Sequence, residues 1–225
     1  MRLVMKKCHH TLLVAVITLA SQSTFALGSK PPSTPPPASS ETQRWRNMIE
    51  DFGGKVVDAS RYSQNAQGFQ SYLTASGIRN YDAADLIAPY NKSAAKNCGY
   101  DVLLPSKEDW VRGAALALWA EDLAHFAGEL PIIRNWYRPS CYNSAVGGAS
   151  KSDHLTARAI DMDFDTLSAR RKAQKELCRY WNTSLNMQIG LGGQSIHLGA
   201  ESPLGKRHWY YDSYQDSDRG NSCFD

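Results

Sequence analysis

Four cysteines place the strongest constraint on how this chain of 225 residues can fold. They lie at Cys98, Cys141, Cys178 and Cys223, and a fifth, Cys8, lies in an N-terminal leader that we expect to be removed. An even number of cysteines in an exported protein predicts disulfides, and four cysteines allow three pairings. A zinc site built from cysteines is the alternative, although none of them forms the C-x-x-C pair that is common in such sites.

The first 26 residues contain the three parts of a secretory signal peptide. A basic start precedes an apolar run at residues 12–20, and small residues follow up to Ala26, after which we expect cleavage. The apolar run is shorter than the roughly 20 residues that a membrane-spanning helix needs. We therefore predict an exported protein of the periplasm, the cell wall or the extracellular space, with no transmembrane segment after signal removal.

The charge balance argues against a nucleic-acid partner. The leader holds three of the 25 basic residues, so the remaining basic residues equal the 22 acidic ones in number. A protein that binds nucleic acid or anionic lipid through its surface charge carries an excess of basic residues instead. We expect no nucleic-acid partner.

Two regions of different composition follow the signal peptide. Residues 27–42 are rich in proline and serine, which predicts an extended linker without a core. Residues 43–95 show helical periodicity in short pieces, one closed by Gly77 and one ending before Pro89. The aromatic residues of this region pack in a core or, alternatively, form a carbohydrate-binding lobe. They include Trp45, Tyr62, Phe69 and Tyr72.

Residues 96–225 alternate between helical and strand patterns. Residues 106–109 resemble a capping box that starts a long buried helix ending before Gly128, and a further helix is capped by Asp165 or Thr166. Short strands are expected at residues 131–137, 157–164, 187–191, 195–198 and 207–211, with a loop at residues 139–152. We predict an α+β fold, a small mixed domain with a mainly antiparallel sheet packed on helices, preceded by the short helical region.

The mature chain contains four histidines, namely His125, His154, His197 and His208. His125 lies within the long predicted helix, where we expect a structural role. His154 and Asp161 lie on either side of the start of a predicted strand, where their side chains could converge. A neutral imidazole and a carboxylate are suitable zinc ligands, and a third imidazole would leave one position open for water. His197, in a short apolar stretch, is the natural third ligand.

A longer motif surrounds this pair. Residues 135–164, NWYRPSCYNSAVGGASKSDHLTARAIDMDF, resemble the signature of the zinc D-Ala-D-Ala carboxypeptidases, which are relatives of the lysostaphin and Sonic hedgehog zinc fold. That signature has an Arg after an aromatic residue, then Asn and Val-Gly-Gly-Ala, then Ser-x-His with an Asp seven positions after the His. The matching positions are Arg138, Asn143, Val146, Gly147, Gly148, Ala149, Ser152, His154 and Asp161.

The resemblance implies a metal site and a reaction. It makes His154, Asp161 and a C-terminal His the ligands of Zn²⁺. His197 fits this third position better than His208, because a Gly-Lys-Arg-x-Trp stretch follows it as in the closest branch of the family. The reaction that the resemblance implies is hydrolysis of an amide bond in the stem peptides of peptidoglycan.

The resemblance also implies roles for other residues. Arg138 would neutralise the oxyanion or bind the terminal carboxylate of a peptide, and a surface ion pair is the alternative. Ser152 would bind polar groups of the substrate or form a turn. Asp163 would orient a ligand or lie solvated on its strand. The implied disulfides are Cys98–Cys141 and Cys178–Cys223.

Two positions depart from the family pattern. Gln194 stands where an Asp or Glu normally serves as general base, and Ala157 stands where a Gly is usual. An amide cannot accept a proton at ordinary pH. Glu201 or Asp212 could replace the base, or the reaction could proceed more slowly without it. The alternative function is a catalytically impaired zinc-containing domain that binds peptidoglycan or a protein partner.

Overall fold

The computed structural model describes residues 40–184, 186–214 and 223–224 of the chain. The predicted signal peptide and most of the predicted linker lie outside these residues, so both stay predictions. The first helix begins at Ser40, inside the stretch expected to be linker. Within the part of the chain that the structure describes, no helix is long and apolar enough to cross a membrane.

Helices and one sheet alternate along the described chain, which confirms the α+β class. The helices are α1 (Ser40–Asp51), α2 (Ala66–Ser76), α3 (Ala83–Ile87), α4 (Lys92–Asn97), α5 (Trp110–Ala127), α6 (Ser140–Ala145) and α7 (Leu167–Trp181). The strands are β1 (Ile132–Asn135), β2 (Ala159–Asp163), β3 (Gln188–Leu191), β4 (Ser195–Gly199) and β5 (Arg207–Tyr210). Short 3₁₀-helices lie at Ala59–Arg61, Lys107–Asp109 and Asp153–Thr156.

The ends of α2 and α7 follow from their capping residues. The Asn65 side chain accepts a hydrogen bond from the Gly68 amide at the start of α2, and Gly77 ends that helix with a φ of 97°. At the start of α7, the Thr166 hydroxyl accepts a hydrogen bond from the Ala169 amide at 3.1 Å. Of the two caps expected for this helix, Thr166 is the one that forms.

The structure differs from the local predictions around α5 and in two short helices. Ser106 makes no capping hydrogen bond, because its hydroxyl donates to the Asp109 carboxylate and residues 107–109 form a 3₁₀ turn. The predicted capping box is therefore wrong.

Helices α4 and α6 were not predicted, and α6 occupies part of the expected loop at residues 139–152. Each has six residues, too few for helical periodicity to show in the sequence.

The sheet has the strand order β1-β2-β4-β3-β5. Neighbouring strands are antiparallel except for β3 and β5, which are parallel. The register places Asp161 of β2 directly opposite His197 of β4. Because the side chains of such cross-strand partners lie on the same face, the sheet brings these two residues together.

The larger of two hydrophobic clusters among the described residues joins the N-terminal helices to the sheet. Leu123 of the central helix α5 is fully buried, and the ring of Phe69 in α2 stacks on Trp136 with 5.3 Å between centroids. Trp45 and Phe69 are fully buried and Tyr72 is 1% exposed. These three aromatic residues pack in the core, as one of the two interpretations of the N-terminal region expected. They present no surface to a carbohydrate.

Two disulfides tie peripheral segments to this core. The structure contains Cys98–Cys141, between the end of α4 and α6, and Cys178–Cys223, between α7 and the C-terminal segment. Both pairs match the pairing that the resemblance implied. Disulfides that close loops of this size typically stabilise a fold by about 2–4 kcal/mol.

Candidate metal centre

Three elements bring two histidines and one aspartate together. His154 lies in the 3₁₀-helix directly before β2 and is fully buried. Asp161 lies in β2, and His197 lies opposite it in β4. One ligand atom from each residue lies within 4.8 Å of the others. The structure therefore gathers the three residues that the sequence analysis proposed as ligands.

The Asp161 carboxylate contacts both imidazole rings. Its Oδ1 lies 2.8 Å from His197 Nδ1 and 3.1 Å from His154 Nε2, and these two nitrogens are 3.2 Å apart. The other ring nitrogen of His154, Nδ1, lies 2.7 Å from the Trp136 carbonyl oxygen. Only a protonated Nδ1 can donate to that carbonyl. In the neutral ring, Nε2 therefore carries a lone pair, which faces the carboxylate.

This donor set fits a divalent cation. The Nε2 lone pair of His154 and the charged oxygen of Asp161 are two acceptors in contact, an unfavourable arrangement unless a positive charge lies beside them. Two imidazoles and one carboxylate form a three-ligand set that leaves a position for water or substrate. The Trp136 carbonyl fixes the ring of His154, as partners behind zinc-binding histidines commonly do.

Burial and mutual contact set the charges of His154 and Asp161. Burial lowers the pKa of His154, because the surroundings penalise the imidazolium form. Burial opposes ionisation of Asp161, but the charge and hydrogen bonds that His154 and His197 offer when protonated outweigh this and hold the pKa of Asp161 well below the usual value. A neutral imidazole and an ionised carboxylate are the forms that bind a metal ion.

Arg138 lies beside the same carboxylate. Its Nη2 is 3.6 Å from Asp161 Oδ2, and its backbone amide donates to the His154 carbonyl at 3.0 Å. The side chain is 13% exposed, so this ion pair lies within the molecule and not on its open surface. A fixed cation at this place can bind a negative charge on a substrate.

A comparison with protein families covers this region of the chain. Residues 113–199 match the family model of peptidase M15. The segment that holds the candidate metal centre is therefore similar to peptidase M15. The match runs from α5 to the end of β4, so it contains His154, Asp161 and His197. No curated protein and no solved structure matches the chain.

The candidate metal centre opens onto a cleft of about 640 Å³. Asp161, His197 and Arg138 line this cleft. A neighbouring cavity of about 550 Å³ also contains Arg138 and His197, and Ser152 lines it. Ser152 thus lies where a polar group of a substrate bound at the centre could reach it.

The position of the usual family base is occupied by a residue that is bonded elsewhere. Gln194 is exposed, and its Nε2 donates to the Asp165 carbonyl at 2.6 Å. Glu201 pairs with Arg44 and lines a different cavity. Asp212 is exposed and lines neither cavity of the centre. Neither acid therefore replaces the usual base in this geometry.

Two acidic residues of the site differ from what the sequence indicated. Asp163 neither orients a ligand nor lies free in solvent, because it pairs with Arg134 at 3.2 Å within the cleft. Its position two residues after Asp161 on a strand was the signal that both face the same side. Asp153, next to His154, is 3% exposed, and its carboxylate accepts a hydrogen bond from Ser202. Nothing in the sequence distinguishes this buried aspartate from a solvated one.

The group of possible ligands does not include the other two histidines, His208 and His125, or Ala157. The ring of His208, on β5, packs edge-on against Trp181 with 5.8 Å between centroids. It is not one of the three possible ligands, but it lines the cavity that contains Ser152. His125 lies exposed on α5.

Ala157 has a φ of 55°, in the left-handed region. This conformation explains why a glycine is usual here, since a side chain at such a φ costs about 1 kcal/mol or more.

Proposed function

We propose that this protein is an exported zinc peptidase that hydrolyses an amide bond in the stem peptides of peptidoglycan, as a D-Ala-D-Ala carboxypeptidase or an endopeptidase. The observation that carries the proposal is the convergence of His154, Asp161 and His197, with ligand atoms within 4.8 Å. The cleft beside them gives a peptide access. Two disulfides support an oxidising compartment, as expected for an exported protein.

Each residue has a separate part in this proposal. His154, Asp161 and His197 would hold the zinc ion. Bound zinc supplies hydroxide at neutral pH, because it lowers the pKa of its water from 15.7 to about 7. Arg138 would bind the carbonyl oxygen as it becomes negative, or the terminal carboxylate of the peptide. Ser152, in the adjoining cavity, would bind polar groups of the peptide.

The absence of an acid at position 194 makes this enzyme slow. General acid–base assistance typically contributes about 10²–10⁴ in rate. Gln194→Glu restores a carboxylate at the family position, so we expect it to raise kcat. An enzyme that already uses another proton acceptor would gain little from the change. Measuring kcat on the same peptide for both forms separates these two cases.

Gln194 also favours a second function, in which the zinc-containing domain binds peptidoglycan or a protein partner without cleaving it. The amide of Gln194 is engaged with the Asp165 carbonyl, so the family base position contributes no proton acceptor. The cleft and its charged residues would then serve recognition alone. This function predicts binding of stem peptides without any product.

Incubation of the purified protein with muropeptides, with and without a chelator, tests the enzymatic function. We expect products that disappear when the chelator is present and in the His154→Ala variant. His125→Ala is the matched control, since this histidine is exposed on α5 and lines neither cavity of the centre, and the variant should cleave like the unmodified protein. If peptides bind and no metal-dependent product forms, the enzymatic function is wrong and the second function stands.

A further inference from the structure

A pair of opposite charges lies in the cleft beside the candidate metal centre. Arg134 of β1 and Asp163 of β2 are joined by contacts of 3.2 Å, from Nε to Oδ2, and 3.5 Å, from Nη1 to Oδ1. Both residues line the cleft that contains Asp161 and His197. Their side chains are 35% and 33% exposed, so a ligand in the cleft can reach both charges.

Tyr90 forms a wall against this pair. The guanidinium carbon of Arg134 lies 4.1 Å from the centroid of the Tyr90 ring, a cation–π contact. The amide of the next residue, Asn91, donates to the buried Tyr142 hydroxyl at 3.0 Å. The disulfide Cys98–Cys141 joins the same two segments of chain. The helical N-terminal region thus contributes a fixed wall of the cleft.

The paired charges favour a ligand that carries both signs. A ligand with a carboxylate alone would compete with Asp163 for the guanidinium of Arg134 and would be repelled by Asp163. A ligand with an ammonium alone would be repelled by Arg134 in the same way. A group with a carboxylate and an ammonium on one carbon can contact both side chains at once, with charge-assisted hydrogen bonds to each.

We infer that Arg134, Asp163 and Tyr90 form a subsite for a free α-amino-acid head group at the end of a substrate side chain. The carboxylate would bind Arg134 and the ammonium would bind Asp163. This inference rests on the proposed function, because the stem peptides of peptidoglycan contain a diamino acid. It narrows the substrate to stems whose diamino acid ends in both groups, as diaminopimelate does, and disfavours stems in which it ends in an ammonium alone, as lysine does.

Calorimetric titration of the full chain with three tripeptides tests the subsite. The peptides differ only in the diamino-acid position, which holds diaminopimelate, lysine, or 2-aminopimelate with the carboxylate but no ammonium. We expect the diaminopimelate peptide to bind about tenfold tighter than either of the others, as the loss of one charge-assisted contact would give. Equal binding of the three peptides would overturn the inference.

Two variants assign the preference to its residues. Arg134→Gln should remove the advantage of diaminopimelate over lysine, and Asp163→Asn should remove its advantage over 2-aminopimelate. Arg61→Gln is the matched control, because Arg61 pairs with Asp58 in an exposed ion pair that does not line the cleft. A preference that survives in both cleft variants would also overturn the inference. Circular dichroism shows whether each variant is folded.

The titration separates this inference from the proposed function. Binding is measured without turnover, so a preference for diaminopimelate in a protein that cleaves nothing supports the subsite and contradicts the enzyme. Cleavage of diaminopimelate and lysine stems with equal affinity and rate supports the enzyme and contradicts the subsite.

Discussion

The candidate metal centre and the Tyr90 wall belong to the same cleft, but they are built differently. His154 is fully buried in the 3₁₀-helix that leads into β2, and His197 is 6% exposed in β4, the strand next to β2. Tyr90 is 58% exposed and reaches the cleft from a separate helical region. The register of the sheet thus positions the candidate metal ligands. The packing of the helical region on the sheet positions Tyr90, which we propose contacts the substrate. Changes at the centre should abolish the reaction, and changes at the wall should alter which peptide is preferred.

The largest difference between the two regions should appear in a pair of arginine variants. Arg138→Ala removes a cation next to Asp161, so we expect kcat/KM to fall by about 10²–10³ on every peptide. Arg134→Ala removes the cation that packs on Tyr90 and should mainly reduce the selectivity for diaminopimelate. Steady-state hydrolysis of the diaminopimelate and lysine stems measures both effects. Equal losses of rate in the two variants would contradict the distinction.

The two disulfides allow the regions to be loosened separately. Replacing both cysteines of Cys98–Cys141 or of Cys178–Cys223 with serine should lower the free energy of unfolding by about 2–4 kcal/mol in either case. Only the first replacement loosens the segments that hold Tyr90, so only it should weaken binding of the diaminopimelate peptide. Denaturant unfolding and calorimetry provide the two measurements. Equal weakening by the second replacement would show that the wall does not depend on its own disulfide.

Glu41 links the helical region to the chain that enters β2. Its Oε1 accepts hydrogen bonds from Arg112 at 2.9 Å and Arg158 at 2.8 Å. Partial burial opposes its ionisation, but the hydrogen bond and charge of Arg158, followed by the charge of Arg112, outweigh it and lower the pKa of Glu41. Because the folded-state pKa is depressed, this stabilisation is present above the unfolded-state pKa and is lost as the pH falls through the folded-state value.

We expect Glu41→Gln to lower the free energy of unfolding by about 1 kcal/mol at pH 7, a modest value because the pair is partly exposed. The difference from the unmodified protein should shrink as the pH falls below about 4. Urea unfolding across this pH range measures it, with Glu50→Gln on the exposed side of α1 as the control. A difference that stays constant with pH would contradict the ionic link.

The smallest expected effect concerns the turn that leads from His154 into β2. Ala157→Gly removes the cost of a left-handed φ, but it adds the flexibility of glycine to the unfolded chain and removes a fully buried methyl group. These contributions nearly cancel, so we expect the free energy of unfolding to change by less than about 0.5 kcal/mol. Ala159→Gly, at a buried strand position, is the control and should lower it. A loss of stability as large as that of Ala159→Gly would contradict the relief of backbone strain at position 157.

Sequence patterns predicted the centre better than the wall for a physical reason. The candidate ligands lie in or next to strands, which the local alternation of apolar and polar residues predicts. His154, Asp161 and His197 could therefore be proposed from the sequence alone. The long helix α5, the Thr166 cap and the strands β3 to β5 were predicted on the same grounds. The contact between Tyr90 and Arg134 depends on how α3 and α4 pack on the sheet. No sequence pattern within α3 or α4 predicts how these helices pack on the sheet.

The burial of Asp153 and the bonding of Gln194 were also beyond sequence reasoning. Each depends on a partner that is distant in the chain, Ser202 for Asp153 and Asp165 for Gln194. Comparison with the family motif showed that position 194 holds a glutamine and not the usual acidic base. Only the structure shows that the replacement amide is engaged with a backbone carbonyl.

The metal content of the purified protein tests the central claim most directly. Elemental analysis should find about one zinc ion per chain in the unmodified protein and in His208→Ala, and close to none in His154→Ala. Retention of zinc by a folded His154→Ala variant, or its absence from the unmodified protein after incubation with zinc, would contradict a metal centre formed by His154, Asp161 and His197.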